Sequence, residues 1–162
     1  TLRALASLPE AVRKTTALLV VGQDKRQAKY QKKSQQLGIE QNVLFLGKRT
    51  DIPDLLFASD LLIHPAHLEN TGNVIVEALV AGVPVICSGT CGYAYYVRDN
   101  NLGAVIEEPF SQSHCNEELL RLLEQDRDWP AECEKFTALA DVFSRPLRAA
   151  ETLEKIHQEH QL

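Results

Sequence analysis

The chain has 162 residues, of which 44% are hydrophobic and 24% charged, and these ordinary globular proportions exclude a disordered, collagen-like or coiled-coil chain. No apolar run approaches the ~18–20 residues that span a bilayer. The net charge of −5 is unevenly placed: residues 1–50 carry ten Lys/Arg against three Asp/Glu, so the acidic excess lies in the remainder.

The chain contains no Met, and Thr1 runs directly into helix-like sequence, so a piece of a longer protein is expected. Ala17–Val21 then reads as a buried strand, and so do Val43–Leu46, Leu61–His64, Val83–Cys87 and Ala104–Ile106. Each is rich in Val, Ile and Leu without polar alternation, the pattern of strands covered on both faces. Between them, helices are predicted over Gln23–Leu37, Ile52–Ala58, Asn73–Ala81 and Gly92–Arg98. Gly22, Gly38, Gly47, Gly82 and Gly103 punctuate the boundaries. Helices over Asn116–Gln125, Ala131–Ala140 and Pro146–His160 follow, the last with an apolar stripe of Leu147, Ala150, Leu153 and Ile156. This order predicts a single α/β domain over residues 1–162. Its core is a Rossmann-like, doubly wound parallel sheet flanked by helices, with further C-terminal helices.

Cys87 and Cys91 have a C-x3-C spacing, but no paired His or Cys cluster follows at zinc spacing; with Cys115 and Cys133 and no secretion signal, reduced thiols in a cytoplasmic protein are expected. The ten aromatic residues do not interleave with basic ones, which argues against nucleic acid as a partner. The run Lys25, Arg26, Lys29, Lys32, Lys33 reads as a solvated helix face. Its alternative is peripheral contact with an anionic membrane surface.

One segment concentrates polar chemistry, from His64 at a strand end through Glu69-Asn70-Thr71-Gly72-Asn73 into an almost wholly apolar helix. Ligands of open α/β sheets bind at strand carboxyl ends, and the first amides of a helix have no internal partner and favour an anion. Glu77 is the odd residue of that helix. Either it is buried and directed back toward Glu69, so that two carboxylates face one pocket, or it lies on the one exposed stripe.

Glu69-x7-Glu77, the following Ala81-Gly82-Val83-Pro84-Val85 and the upstream Ala58-Ser59-Asp60 resemble the donor-binding half of the retaining glycosyltransferases of GT-B fold. Leu18–Gly22 and Leu37-Gly38 followed by Val43–Gly47 match further landmarks in order, so the resemblance runs from about residue 2 to residue 110. His64-Pro65-Ala66, Cys91-Gly92-Tyr93-Ala94 and Glu108–Gln112 are similar to the lipopolysaccharide-core glucosyltransferases of that family. The resemblance implies UDP-glucose as donor, an inner-core heptose acceptor bound by an N-terminal domain that this sequence lacks, a Gram-negative source and action at the inner face of the inner membrane. No cofactor and no metal are implied. Residue by residue, it implies that Glu77 holds the ribose hydroxyls and that Glu69, the candidate catalytic residue, contacts the donor sugar near its reacting carbon. Asn70, Thr71, Gly72 and Asn73 would meet the sugar and diphosphate. Gly22 with Lys25 and His64 would border the pocket, and Gly47, Lys48 and Arg49 would lie against the base. Asn70-Thr71-Gly72 stands where the family often has Gly-Phe-Gly. The Arg and Lys that neutralise the diphosphate lie in an upstream stretch absent here, so Lys25 and Arg26 are the available substitutes. The alternatives are a UDP-sugar epimerase of similar fold and a non-catalytic Rossmann-like interaction domain.

Overall fold

The computed structural model describes residues 1–137. The expected helix over Pro146–His160, with its Leu147, Leu153 and Ile156 stripe, and the end of the one over Ala131–Ala140 lie outside them. Helices α1 (Leu2–Ser7) and α2 (Glu10–Lys14) precede strand β1 (Leu18–Val21), α3 (Gln27–Gln36) and β2 (Val43–Gly47). Then come α4 (Ile52–Phe57), β3 (Leu62–His64), α5 (Asn73–Val80), β4 (Val85–Ser88), α6 (Ala94–Asn100) and β5 (Gly103–Ile106). Helices α7 (Gln112–Glu124) and α8 (Trp129–Thr137) complete the described chain. Among these residues, no helix is long and apolar enough to cross a membrane.

Every strand pairing is parallel, as strands joined through helices require. The hydrogen bonding divides into two ladders, β1–β2 and β3–β4–β5, where one continuous sheet was expected. Packing joins them. One core contains Ala4, Leu5, Ile39, Ile86, Ile106, Cys115, Leu119 and Leu122, and Leu18 of β1, Val43 of β2, Ile63 of β3 and Ala104 of β5 pack on it. The opposite core contains Ile75, Val76, Leu79, Val85, Cys87 and Val97, with Leu62 and Val105 against it. Adjacent residues of β3, β4 and β5 therefore point into different cores, the arrangement of strands covered on both faces. All four residues of β4 are buried.

Strands β1 and β2 depart from that expectation. Val21 is 39% exposed and Leu44 46%. The reason lies in α3, whose sequence Gln-Ala-Lys-Tyr-Gln-Lys-Lys-Ser-Gln-Gln buries only Ser34 and offers little apolar cover. Lys25, Lys29 and Lys32 are exposed, as a solvated face requires.

Helix starts show where local chemistry overrides periodicity. The predicted start at Gln23 moves to Gln27 because Asp24 closes a turn. Its carboxylate accepts the Arg26 amide at 2.7 Å and its carbonyl accepts the Gln27 amide at 3.1 Å. Helix α6 starts at Ala94, two residues after the predicted Gly92, because the Gly92 and Tyr93 amides bond a neighbouring loop. Helix α7 starts four residues before Asn116 because Ser111 caps it, its hydroxyl accepting the His114 amide at 3.2 Å. Helix α8 starts at Trp129, where the Asp128 carboxylate accepts the Ala131 amide at 3.2 Å.

The four cysteines are buried and unpaired. Burial pushes the Cys87 thiol up to about 12 and the Cys133 thiol up to about 11. A thiol whose folded value exceeds its unfolded one contributes stability in full below about pH 9, lost as pH rises toward 12. Urea midpoints are thus expected to fall between pH 8 and 10.5, and to fall less steeply in Cys87→Ala. Identical slopes in the two proteins would refute the assignment.

Candidate functional site

The polar segment singled out in the sequence lies between β3 and α5. Gly72, with φ 76° and ψ 54°, occupies the N-cap of α5 in the left-handed region, where a side chain is strained. No side chain caps this helix. Its first amides are left for a ligand or water, apart from the Ile75 amide, which reaches the Gly72 carbonyl at 2.9 Å. Thr71 Oγ1 donates to Asn73 Oδ1 at 3.1 Å, which directs both short side chains into one exposed turn.

Glu69 is half-buried, and the protein engages both of its oxygens. Oε1 accepts the Asn70 amide at 2.9 Å, and Oε2 lies 3.3 Å from His64 Nε2. With Nε2 protonated, the imidazole donates to the carboxylate and sets its plane. The structure thus unites His64, at the end of β3, with Glu69 and the Asn70–Asn73 turn.

Glu77 takes the second of the two positions open to it. Asn73, Glu77 and Val80 are exposed, while Ile75, Val76, Ala78 and Leu79 are buried. The spacing of four and three residues puts these three on one outward stripe of α5. The buried carboxylate facing Glu69 is therefore excluded. Glu77 is instead a solvated acid on the helix that begins at the Glu69–Gly72 loop.

Gly22 and Gly47 meet at the ends of β1 and β2, where the Gly22 amide donates to the Gly47 carbonyl at 2.8 Å. Lys25, Lys48 and Arg49 are exposed beside these turns. Among the described residues neither Lys25 nor Lys48 forms an ion pair, whereas Arg49 Nε holds Asp51 Oδ1 at 2.8 Å. The Arg49 hydrogen bond keeps the Asp51 carboxyl below its ordinary range. Arg26, the other candidate for the diphosphate, is similarly committed to Asp24, 3.3 Å away. The available cations are thus the two lysines. No hydrogen bond or ion pair joins the Gly22–Gly47 turns to the Glu69–Asn73 loop.

Sequence reasoning noted residues 91–94 only as a resemblance and missed that residues 88–93, from the last residue of β4 onward, hold the polar loop. Ser88 Oγ donates to the Ala66 carbonyl, and Thr90 Oγ1 reaches the same oxygen at 2.8 Å. The Gly92 amide donates to Asn70 O at 3.1 Å and the Tyr93 amide to Thr71 O at 2.9 Å. The available signal was the cluster Ser88-Gly89-Thr90 just past an apolar strand, adjacent to β3 in a parallel sheet.

Tyr93 and Tyr96 pack against the core cluster around α5, whereas Tyr95 is exposed. His67 is exposed and meets the Phe110 ring edge-on at 5.9 Å. An Asp-x-Asp triplet occurs at Asp126–Asp128, between α7 and α8. Asp128 caps α8, and Arg127 lies 3.4 Å from Glu132 and 4.3 Å from the Trp129 ring and donates to the Asn101 carbonyl at 3.3 Å, so these contacts tie the helix start to the end of α6. Among the described residues no three His, Cys, Asp or Glu side chains converge as metal ligands.

A family model described as glycosyl transferases group 1 matches residues 1–140. The chain is 43% identical over 155 residues to the lipopolysaccharide glucosyltransferase WaaG of Escherichia coli K12, covering 94% of this chain and 41% of that protein. It is 37% identical over 71 residues to the N-acetyl-alpha-D-glucosaminyl L-malate synthase of Bacillus anthracis, covering 44% of this chain and 19% of that one. A crystal structure of WaaG superposes with TM-score 0.87 at 44% identity, covering 93% of this chain and 41% of that one. Anabaena HepE, solved in complex with UDP-glucose, superposes with TM-score 0.76 at 28% identity, covering 95% and 44%. This chain spans about two fifths of the length of the first of these relatives.

Proposed function

The chain belongs to the group 1 glycosyl transferases, and from that premise we propose that it forms the donor site of a retaining transferase that moves glucose from UDP-glucose to the lipopolysaccharide inner core. The observation that carries the reading is the loop Glu69–Asn73, clamped on its inner side and opening onto the uncapped start of α5. Resemblance to proteins named for lipopolysaccharide glucosylation and for a complex with UDP-glucose supports the choice of donor.

In this reading the diphosphate sits on the first-turn amides of α5, with Gly72, Asn73 and Lys25 around it. Glu77, solvated on the outward stripe, accepts the two ribose hydroxyls. Glu69 and His64 face the sugar, and Asn70 and Thr71 line its path. The turns at Gly22 and Gly47, with Lys48 and Arg49, border the base. Bond cleavage leaves negative charge on the departing UDP. The first-turn amides of α5 oppose that charge without having to reorganise, Lys25 adds a positive charge beside them, and the reading requires no metal. In this reading the acceptor is bound in the length of the relatives that this chain does not span.

Titration of the ¹⁵N-labelled chain with UDP tests the reading. Shifts are expected at Gly47, Gly72 and Glu77. Glu77→Ala, which alters an exposed position, is expected to weaken binding by about tenfold or more, since charge-assisted hydrogen bonds are worth about 1.5–3 kcal/mol each. Millimolar UDP without shifts, or equal affinity in the variant, would sink it.

A further inference from the structure

The last residue of β4 and the segment after it make four hydrogen bonds to the polar segment, two from hydroxyl groups and two from backbone amides. The hydroxyl pair converges on one atom. Ser88 Oγ and Thr90 Oγ1 both approach the Ala66 carbonyl oxygen, and they lie 2.9 Å from each other. A carbonyl has two lone pairs, so both donors fit. Two hydroxyl protons then serve three short oxygen contacts. Cys91 Sγ, 3.6 Å from Ser88 Oγ, is placed to donate a further proton to that oxygen.

The Ala66 peptide is held from its other side as well, because its amide donates to the His64 carbonyl at 3.0 Å. The His64 ring in turn meets Glu69. A continuous path of contacts therefore runs from Thr90 through Ala66 and His64 to the Glu69 carboxylate. Four residues further along, the Gly92 and Tyr93 amides fix the Asn70 and Thr71 carbonyls. The loop has only one glycine, Gly72, to define its course. It takes its shape from this outer template.

We propose that Thr90 is a positioning residue for the sugar end of the donor site. It acts on Glu69 through the Ala66 carbonyl and the His64 turn, and it does not touch the donor. The proposal rests on the donor-site reading above. Ser88 shares the clamp but is fully buried, so its loss would also disturb the core. Thr90 is half-buried, and Thr90→Val removes the hydroxyl at nearly constant shape.

Two readouts separate the clamp from the donor reading. Amide hydrogen exchange needs no ligand. In Thr90→Val the Asn70, Gly92 and Tyr93 amides are expected to exchange about fivefold faster, the equivalent of one neutral hydrogen bond, with Ile86 and Cys87 unchanged. Thr90→Ser should restore the wild-type rates. Unchanged exchange in Thr90→Val would overturn the proposal whatever the ligand does. The second readout is affinity for UDP-glucose relative to UDP. Thr90→Val is expected to weaken UDP-glucose by severalfold more than UDP, because the clamp governs the sugar end. Equal weakening of both, or no weakening, would also overturn it. A wild-type chain that binds neither would instead defeat the donor reading, and the exchange rates would still decide the clamp.

Discussion

Gly103→Ala is expected to unfold the protein. Gly103 opens β5 directly opposite Val85 of β4, the strand hydrogen-bonded on both sides. A Cβ built on Gly103 would lie 2.0 Å from the Val85 carbonyl oxygen and 2.7 Å from the Val85 carbonyl carbon and nitrogen. These are backbone atoms of a strand whose side chains are all buried, so neither partner can retreat without opening the ladder. The backbone adds a second penalty, because φ of 141° is a conformation that residues with side chains rarely adopt. Strain of this kind costs of order 1–3 kcal/mol before the clash is counted. The sum belongs with the rare substitutions above about 4 kcal/mol, against a typical domain stability of about 5–15 kcal/mol. Circular dichroism and thermal melting decide the matter. A cooperative melt within a few degrees of wild type would show that β4 and β5 can separate locally, contrary to the argument.

That glycine shows what the sequence could and could not convey. Its place at a strand boundary was legible, because the apolar run Ala104–Ile106 begins just after it. The approach to Val85 was not, because it depends on which strand lies alongside. Strands β3, β4 and β5 were recognisable from unbroken Val, Ile and Leu, since burial on both faces leaves no room for polar alternation. The same rule failed for β1 and β2. Their residues are as apolar, but the helix beside them is a run of Gln and Lys, and strand composition says nothing about its cover. Glu77 was undecided for a related reason. In a helix apolar almost all round, about half a turn of rotation separates the buried from the solvated position, and only packing of Ile75, Val76, Ala78 and Leu79 fixes the choice. The carboxylate pair Glu69 and Glu77 was visible as a spacing. Its supporting segment, Ser88 to Tyr93, was not, because its hydrogen bonds cross between strands about 22 to 24 residues apart in the chain.

Gly92→Ala is expected to abolish recognition of the nucleotide sugar while leaving the fold intact. The site differs from Gly103 in every structural respect. Gly92 is exposed, it lies in a loop, and its φ is not in the positive region. The objection to a side chain is steric alone. A Cβ there would stand 2.5 Å from the Asn70 carbonyl oxygen and 3.3 Å from Thr71 Cα. Both atoms belong to the loop proposed to meet the sugar and diphosphate. The Gly92 amide also donates to that same Asn70 oxygen at 3.1 Å, so relieving the clash draws apart the bond that orders the loop. A loop can move where a central strand cannot, and the strain is released by displacing Asn70 and Thr71 rather than by unfolding. Shifts of about 1 Å at a site can cost about a hundredfold in a positioned reaction. UDP-glucose affinity is therefore expected to fall by at least about tenfold, with the melting temperature within about 2–4 °C of wild type, the range of a 1 kcal/mol change in a domain of this size. Calorimetric titration and thermal melting, made on the same sample, check both halves. Unchanged affinity in a folded Gly92→Ala protein would mean that the loop's path does not determine recognition. A collapse of the melt would mean that the 88–93 segment supports the core as well as the site.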